Sequence, residues 1–164
     1  MTLPDSSTLS YEYDAAHRLT AISNSLGERT EYAHDDMGNV TRTDIKSGVG
    51  TIIATQSAAF DELGRIMQQI GASSQITAFG YDPNDNLTSV TDPLNEQTLF
   101  AFDTLDRLIK ETDALSGEVD QAYDDQDNLA SLEDQRNLTT SFTHNGFGEV
   151  IQEVSPDRRH DLHV

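Results

Sequence analysis

The chain has 164 residues, of which 29 are Asp or Glu and 10 are Lys or Arg, so its formal net charge is −19. A field of this sign repels nucleic-acid phosphates and anionic lipid surfaces, which excludes both as expected partners. The sequence has no cysteine, which excludes disulfides, thiolate nucleophiles and Cys-ligated zinc. An apolar fraction of 35%, with Phe and Tyr as the only aromatic residues, is typical of a sheet with one solvated face.

The N-terminal segment, residues 1–10, precedes the first repeated motif and is interpreted as a lead-in. It has neither the basic region nor the apolar region of a secretory signal peptide. Nowhere does the sequence have the roughly 18 consecutive apolar residues of a membrane-spanning helix. We therefore predict no signal peptide and no membrane span, and expect any export signal to lie elsewhere.

From residue 11 onward the chain repeats itself. A Tyr or Phe followed by an acid recurs throughout, and His replaces the ring in two copies. The acids or amides of this anchor motif are 21 residues apart at every step except one step of 26 residues. They are Asp14, Asp35, Asp61, Asp82, Asp103, Asp124 and Asn145. This periodicity predicts an array of about seven repeats over residues 11–157.

Neighbouring columns of the repeat hold the same register. The third residue after the anchor is Gly, Asp or His, the fourth alternates between Arg and Asn until the last copy, and the fifth is always aliphatic. The residues that we predict to define the repeat structurally are Tyr13, Asp14, Asp35, Gly38, Phe60, Asp61, Gly64, Arg65, Tyr81, Asp82, Phe102, Asp103, Arg107, Tyr123, Asp124 and Gly148.

Strand and turn rules translate each repeat into two short strands and two turns. Rings two positions apart, such as Phe100 and Phe102, project from one face of a strand, and we expect that face to be buried. The anchor carboxylate is expected to cap a turn, and Gly or Asp three residues later tolerates the left-handed conformation that such turns need. A second turn follows at sites such as residues 92–95. The longer step is predicted to be an insertion at a surface turn near residues 46–57.

The segment FAFDTLDRL, residues 100–108, resembles the unit of the YD-repeat or RHS-repeat family, which reads aromatic-x-Tyr-Asp-x-x-Gly-Arg-Leu. The resemblance is specific because seven copies hold register over nearly the whole chain. It implies an all-β fold in which tandem hairpins form a curved or spiralling antiparallel sheet, part of a hollow shell. The family includes RHS polymorphic toxins of bacteria, shell components of insecticidal toxin complexes, and the teneurins of animals.

The resemblance also implies a function. The chain would be a non-enzymatic structural module of a shell that encloses a toxin domain, secreted or at the cell surface as part of a larger protein. Its partners would be adjacent repeats or the remainder of the shell and a toxin cargo, and its open strand edges predict self-association. No self-cleaving segment or toxin domain is recognisable, so we interpret the chain as a fragment or a short orphan product. The alternative is a cell-surface adhesion module that binds carbohydrate or protein.

The repeated carboxylates also raise the question of chemistry. Catalysis needs one privileged pair of acids, whereas a turn cap is needed in every copy, so we assign no catalytic residue. The acidic loops at residues 82–86 and 124–128 fit neither an EF-hand nor a calcium-binding β-roll, and we expect no metal or other cofactor. His160 and His163 have a metal-ligand spacing, but they lie in a tail, residues 158–164, that no longer follows the repeat.

Overall fold

The structure is a computed structural model that describes residues 8–156. The described residues form fourteen β-strands and no helix, and thus no helix long and apolar enough to cross a membrane. The strands are β1 Leu9–Tyr13, β2 Leu19–Asn24, β3 Arg29–His34, β4 Val40–Lys46, β5 Ile52–Phe60, β6 Ile66–Ile70, β7 Ile76–Tyr81, β8 Leu87–Thr91, β9 Gln97–Phe102, β10 Leu108–Thr112, β11 Glu118–Tyr123, β12 Leu129–Glu133, β13 Thr139–His144 and β14 Val150–Val154.

The chain divides into two compact units. The first unit ends at Phe79 and the second begins at Gly80, so the division falls within β7. In the first unit each strand from β1 to β6 pairs antiparallel with the next strand in the chain. In the second unit the strands from β8 to β14 do the same. The predicted all-β class and the tandem antiparallel hairpins are therefore confirmed.

The cross-strand register of the first unit separates an apolar face from a charged face. Tyr11 lies opposite Ile22 in one row, whereas Glu12 lies opposite Ala21, and Ala21 opposite Glu31, in the neighbouring row. Residues directly opposite each other project to the same side of a sheet, and successive residues alternate sides. The rings and aliphatic side chains thus line one face, while the other carries acids and their basic partners.

The charged face of the first unit is held by an ion-pair network. Arg29 donates Nη1 and Nη2 to the two carboxylate oxygens of Glu12 and places its Nε 2.8 Å from Glu31 Oε1. Lys46 Nζ lies 2.6 Å from Glu31 Oε2. Ala21, which lies opposite both acids, is fully buried. In the second unit Lys110 makes the corresponding bridges to acids on the neighbouring strand, Glu118 and Asp120.

The expected burial of the aromatic face is wrong. Ala21 is the only buried apolar residue among residues 8–156, and the rings are half-buried at best, with Tyr11 42% and Tyr13 60% exposed. The physical reason is that neither unit has a second layer to cover the face, so each ring is covered only by side chains of its own sheet. Single-layer packing also accounts for the lean apolar composition.

The longer repeat step does not enlarge a turn. The turn at residues 47–51 has the same length and backbone hydrogen bonds as the others, with Ser47 N donating to Thr51 O at 2.8 Å. The additional residues lengthen the flanking strands instead, so that β4 has seven residues and β5 has nine. Strand extension keeps every added backbone group within the hydrogen-bonded ladder, which a larger loop would not do.

Candidate functional site

The structure brings the repeat-defining acids, glycines and arginines together in a five-residue turn, and each repeat-defining ring is the last residue of the strand before that turn. Thirteen such turns join the fourteen strands of the described region. In each turn the first residue donates its N–H to the carbonyl of the fifth, and the fourth donates to the carbonyl of the first, as Asp103, Asp106 and Arg107 do at 3.0 and 3.1 Å. Seven of these turns begin at the anchor residues of the sequence motif, and six are the return turns between them.

An Asp or Asn side chain caps eleven of the thirteen turns. Its Oδ1 accepts hydrogen bonds from the backbone N–H groups of the third and fifth residues, as Asp103 does from Leu105 at 2.8 Å and Arg107 at 3.1 Å. These bonds satisfy two donors that the tight reversal of the chain leaves without a ladder partner. This geometry is the turn cap that we predicted for the anchor acids. The return turns that begin with Asp or Asn have the same cap.

The fourth residue of every described turn is in the left-handed conformation. Five of these residues are Gly, and the others are Asp, Asn, Ser or His. The φ angles are +61° at Asp106, +67° at Ser116 and +78° at Gly64. Gly38, Gly64 and Gly148, named from the sequence as repeat-defining, all occupy this position, where a side chain brings strain that Gly avoids.

At the anchor turns the fifth residue completes the cap with a side-chain bond. Arg18, Arg65 and Arg107 each donate Nε to the second carboxylate oxygen of their own cap, at 2.7, 2.8 and 2.7 Å. Asn occupies this position in the intervening repeats, and Asn39 donates to Asp35 Oδ2 at 2.9 Å. The Arg and Asn alternation of the sequence is thus an alternation of cap donors.

Arg107 also connects neighbouring repeats of the second unit. Its Nη1 lies 2.6 Å from Asp127 Oδ1, in the next anchor turn, and its guanidinium lies 4.7 Å from the centre of the Tyr123 ring. The Tyr123 hydroxyl in turn donates to the carbonyl of Leu108 at 2.9 Å. One Arg therefore contacts a carboxylate in its own turn and both a carboxylate and a ring in the next repeat.

Two turns reverse the polarity of the cap. Asn145 replaces Asp at the last anchor, and Glu149 replaces the usual donor at the fifth position, so that Asn145 Nδ2 donates to Glu149 Oε2 at 2.7 Å. Asn24 and Glu28 form the same pair, also at 2.7 Å, in a return turn of the first unit. The exchange of donor and acceptor preserves the side-chain bond across the turn.

The two turns without an Asp or Asn cap differ from each other. Where Gly71 begins the turn, Gln75 Oε1 takes over the cap and accepts the N–H of Ser73 at 2.8 Å. Where Ser47 begins the turn, its buried Oγ has no hydrogen-bond partner. This turn lies against the preceding return turn, so closely that a Cβ on Gly48 would be 2.3 Å from the carbonyl oxygen of Leu26.

Hydrogen bonding lowers the pKa values of seven cap carboxylates. For Asp103 the largest cause is the side-chain bond from Arg107, and for Asp14 it is the backbone N–H of Arg18. At Asp61 partial burial is the largest effect and opposes the shift, but the bonds from Arg65 and Leu63 together outweigh it and the pKa is still lowered. The lowered pKa favours the ionised, accepting form of these seven caps, a state in which a carboxylate cannot act as a general acid.

The acidic loops at residues 82–86 and 124–128 carry the same capping contacts as the other anchor turns that begin with Asp. The cap oxygens of the acidic loops at residues 82–86 and 124–128 are engaged by backbone and Asn donors. Among residues 8–156 no group of three or more His, Asp or Glu side chains is arranged to hold a metal ion. The His160 and His163 pair lies outside the described residues.

Comparison with known proteins identifies the repeat. The profile of the RHS repeat matches residues 1–29, 13–49, 60–97 and 81–118, which together span more than half of the chain. The chain belongs to the RHS repeat family. No curated protein sequence matches it at a significant level.

Solved structures share the fold of this RHS array at low sequence identity. A crystal structure of TcdB2-TccC3-TEV matches with a TM-score of 0.71 and 16% identity over 92% of this chain and 9% of that chain. The corresponding TcdB2-TccC3-Cdc42 structure has a TM-score of 0.72 at 16% identity, with the same coverage. The Tc holotoxin pore of Photorhabdus luminescens matches with a TM-score of 0.70 and 15% identity over 90% and 9%. The RHS chain thus spans about a tenth of the length of these relatives.

Sequence reasoning missed a β-bulge that follows six anchor turns of this RHS array. Tyr123 lies opposite Leu129 but Ala122 lies opposite Ser131, so Ala130 is an extra residue of the returning strand. The same shift follows the anchor turns that begin at Asp14, Asp35, Asp61, Asp103 and Asn145. A signal was present: Leu129 and Leu132 are three residues apart, a spacing that puts both on one face only if a bulge intervenes.

Proposed function

We propose that the chain is a length of β-sheet wall from an RHS-type shell that encloses a toxin domain, and that it has no catalytic activity of its own. The observation that carries the proposal is the equivalence of the turns. Each described turn has the same backbone hydrogen bonds, and nearly all have the same cap. The cap acids are therefore engaged in hydrogen bonds that shape the turns of the sheet. Catalysis would require one turn to differ from its counterparts in charge and geometry.

The contacts between repeats support a wall that extends by addition. Arg107 ties two anchor turns together, and Asn84 and Asn86 both donate to Asp106 in the following anchor turn, at 3.0 and 2.7 Å. Each repeat therefore uses its neighbour to complete its polar contacts, as expected of repeat proteins whose stability is a sum of local units and interfaces. We infer that further repeats and an enclosed domain complete the assembly, and that it acts outside the cell or at its surface.

The test uses the complete gene product that contains this segment. Limited proteolysis is followed with antibodies against the wall and against the region downstream of it. A shell predicts that the downstream region resists digestion, and that it becomes sensitive when Asp103→Ala and Asp61→Ala weaken the wall. Equal sensitivity of the downstream region in both proteins, or a gene product that ends at residue 164, would overturn the enclosure of a cargo.

A second candidate function is glycan binding at the exposed end of the aromatic face. Tyr11 and Tyr13 are the most exposed rings of the strands, and a shallow concavity of about 330 Å³ lies on the same unit, lined by Leu9, Ile22 and Ile45 among others. Exposed rings present an apolar face that suits stacking against sugars. Saturable binding on a glycan array that Tyr13→Ala abolishes, with thermal stability unchanged, would favour this function over a purely structural one.

A further inference from the structure

The Asn145-Gly146 turn holds a reactive arrangement that the wall itself does not need. We propose that Asn145 is a site of self-modification, at which the backbone nitrogen of Gly146 attacks the Asn145 side-chain amide and converts the residue to Asp and isoaspartate. The inference is independent of the shell function. It rests on three features of the turn: a free nucleophile, a polarised amide carbon and a carboxylate that accepts a hydrogen bond from the leaving amide nitrogen.

The nucleophile is the backbone N–H of Gly146. It donates to no acceptor among residues 8–156, and the residue is exposed to solvent. A Cβ built on Gly146 would meet nothing within 4 Å. Attack on the side-chain amide closes a five-membered ring, and a side chain on the attacking residue would obstruct that closure. Gly146 therefore presents the least hindered nitrogen that a residue can offer.

The electrophile is the side-chain carbonyl of Asn145. Its Oδ1 accepts hydrogen bonds from the N–H of Phe147 at 2.9 Å and from the N–H of Glu149 at 3.1 Å. Two fixed donors on one carbonyl oxygen stabilise the negative charge that develops there during nucleophilic attack, as in an oxyanion hole. The capping bonds that shape the turn thus also activate the amide carbon.

The leaving group is the amide nitrogen, which donates to Glu149 Oε2 at 2.7 Å. As the bond from Gly146 N to Asn145 Cγ forms, the Gly146 proton passes through water or the Glu149 carboxylate to Nδ2. The Cγ–Nδ2 bond then breaks, ammonia departs and a cyclic imide remains. Water hydrolyses either carbonyl of the imide to give Asp or isoaspartate, so no oxidant or reductant is required.

Asn24 provides a matched comparison within the same molecule. Its Oδ1 accepts from Leu26 N at 2.9 Å and Glu28 N at 3.0 Å, and its Nδ2 donates to Glu28 Oε2 at 2.7 Å. The hydrogen bonds of the two turns are thus equivalent. The attacking residue differs, because Ser25 follows Asn24 where Gly146 follows Asn145.

Modification would loosen the last described hairpin. A carboxylate at position 145 would face the Glu149 carboxylate in place of a donor, and isoaspartate would add a carbon to the backbone of the turn. That turn sets the pairing of β13 with β14, in which His144 lies opposite Val150. All five residues of β14 are exposed, so few packing contacts oppose its release. Conversion would therefore unpair β14 as the protein ages.

The experiment follows the purified full chain during incubation at neutral pH and body temperature. Tryptic peptides 19–29 and 137–158 separate the two sites, and tandem mass spectrometry locates the replacement of NH₂ by OH. We expect conversion at Asn145 to be on the order of tenfold faster than at Asn24, equivalent to about 1.4 kcal/mol in activation free energy. Equal rates at the two sites would overturn the proposal.

Three further comparisons test the mechanism. Gly146→Ser should slow conversion at Asn145 to the rate of Asn24, and Ser25→Gly should raise the rate at Asn24. Glu149→Gln should slow conversion several-fold with the hairpin still folded by hydrogen exchange. The chain unfolded in urea should convert Asn145 more slowly than the folded chain; faster conversion in urea would show that the turn protects the amide, and would contradict the assigned oxyanion hole.

Discussion

At the residue scale, backbone geometry decides which amino acids fit the fourth position of the turn. Thirteen described residues adopt a positive φ there, and eight of them are not glycine. An L-residue in this region costs about 1–2 kcal/mol relative to its preferred conformation. Asp and Asn tolerate it best because their short polar side chains bond locally, whereas Ser has less to offset the strain.

Ser116 therefore provides a test of turn strain. With φ at +67° and an exposed side chain, Ser116→Gly should raise the free energy of unfolding by about 0.5 kcal/mol, because relief of strain exceeds the greater entropy of glycine in the unfolded chain. Ser116→Val should lower it, since a β-branched residue fits this region poorly. Thermal and urea unfolding of both variants measure the effect. A stabilising Val would contradict the backbone explanation.

Asp103 separates the two parts of the cap. Asp103→Asn retains an oxygen acceptor for the N–H groups of Leu105 and Arg107 but loses the charge that Arg107 binds, whereas Asp103→Ala loses both. The melting temperature should fall in the order wild type, Asn, Ala, with the Ala variant lower by several degrees. Asp125→Asn changes an exposed acid at the second position of the next anchor turn; it is the control and should leave the melting temperature unchanged.

Much of the turn structure could be predicted from the sequence, because the conformation of a turn depends on residues close together in the chain. The anchor acids and the glycines three residues later stood out by recurrence. The left-handed conformation of Ser74 and Ser116 could not be predicted, since serine has only a weak preference for it and the return turns lack a regular sequence motif. The departure of Asn145 and Glu149 from the residues at the same positions of the other repeats was visible in the sequence. Its structural role could be understood only because the two side chains form a hydrogen bond across the turn.

At the element scale, the hairpins were predictable and their detailed pairing was not. Aliphatic residues at a constant distance from the anchor indicated the returning strands. The bulge depends on how the returning strand pairs across the turn, and the added residues of β4 and β5 depend on a partner strand being available to continue the ladder. The bulge and the strand lengths both depend on pairing between two strands, so they cannot be predicted from the sequence of one strand alone.

Gly48 tests how closely two hairpins approach. Because a Cβ there would be 2.3 Å from the carbonyl oxygen of Leu26, Gly48→Ala should force the two turns apart and cost about 1–3 kcal/mol of stability. Gly146→Ala changes the equivalent second position of a turn with open space around it and should stay within about 0.5 kcal/mol of wild type. Chemical denaturation of the pair measures the difference. Equal effects would show that the contact at Leu26 is unimportant.

At the scale of the whole molecule, the caps make stability depend on acid. Asp has an ordinary pKa of 3.8, and seven cap carboxylates have a lower pKa in the folded chain. The unfolded chain therefore takes up these protons first as the pH falls. The stabilisation that the ionised caps provide is complete above pH 3.8, and it is lost as the pH falls through the lower pKa values of the caps in the folded chain.

The net charge of −19 acts in the opposite direction, because protonation of the remaining acids relieves repulsion. We expect the melting temperature to be highest near about pH 5 and to fall steeply below 3.8. Melts recorded across this range at low and high salt distinguish the two effects, since salt screens general repulsion more than bonds within a turn. The melting temperature of Asp103→Asn should fall less at acid pH than that of the wild type. An identical fall would show that the caps do not cause the loss of stability in acid.

Because the same five-residue turn closes both ends of the hairpins, each strand ends in an equivalent piece of backbone. Recombination between two copies of the repeat can therefore cross over at any point of the unit and still join compatible geometry. Unequal exchange would add or delete whole hairpins without requiring a new turn or a new capping pair. Genes of this kind can change the length of their repeat region in a single event, before selection has adjusted any residue.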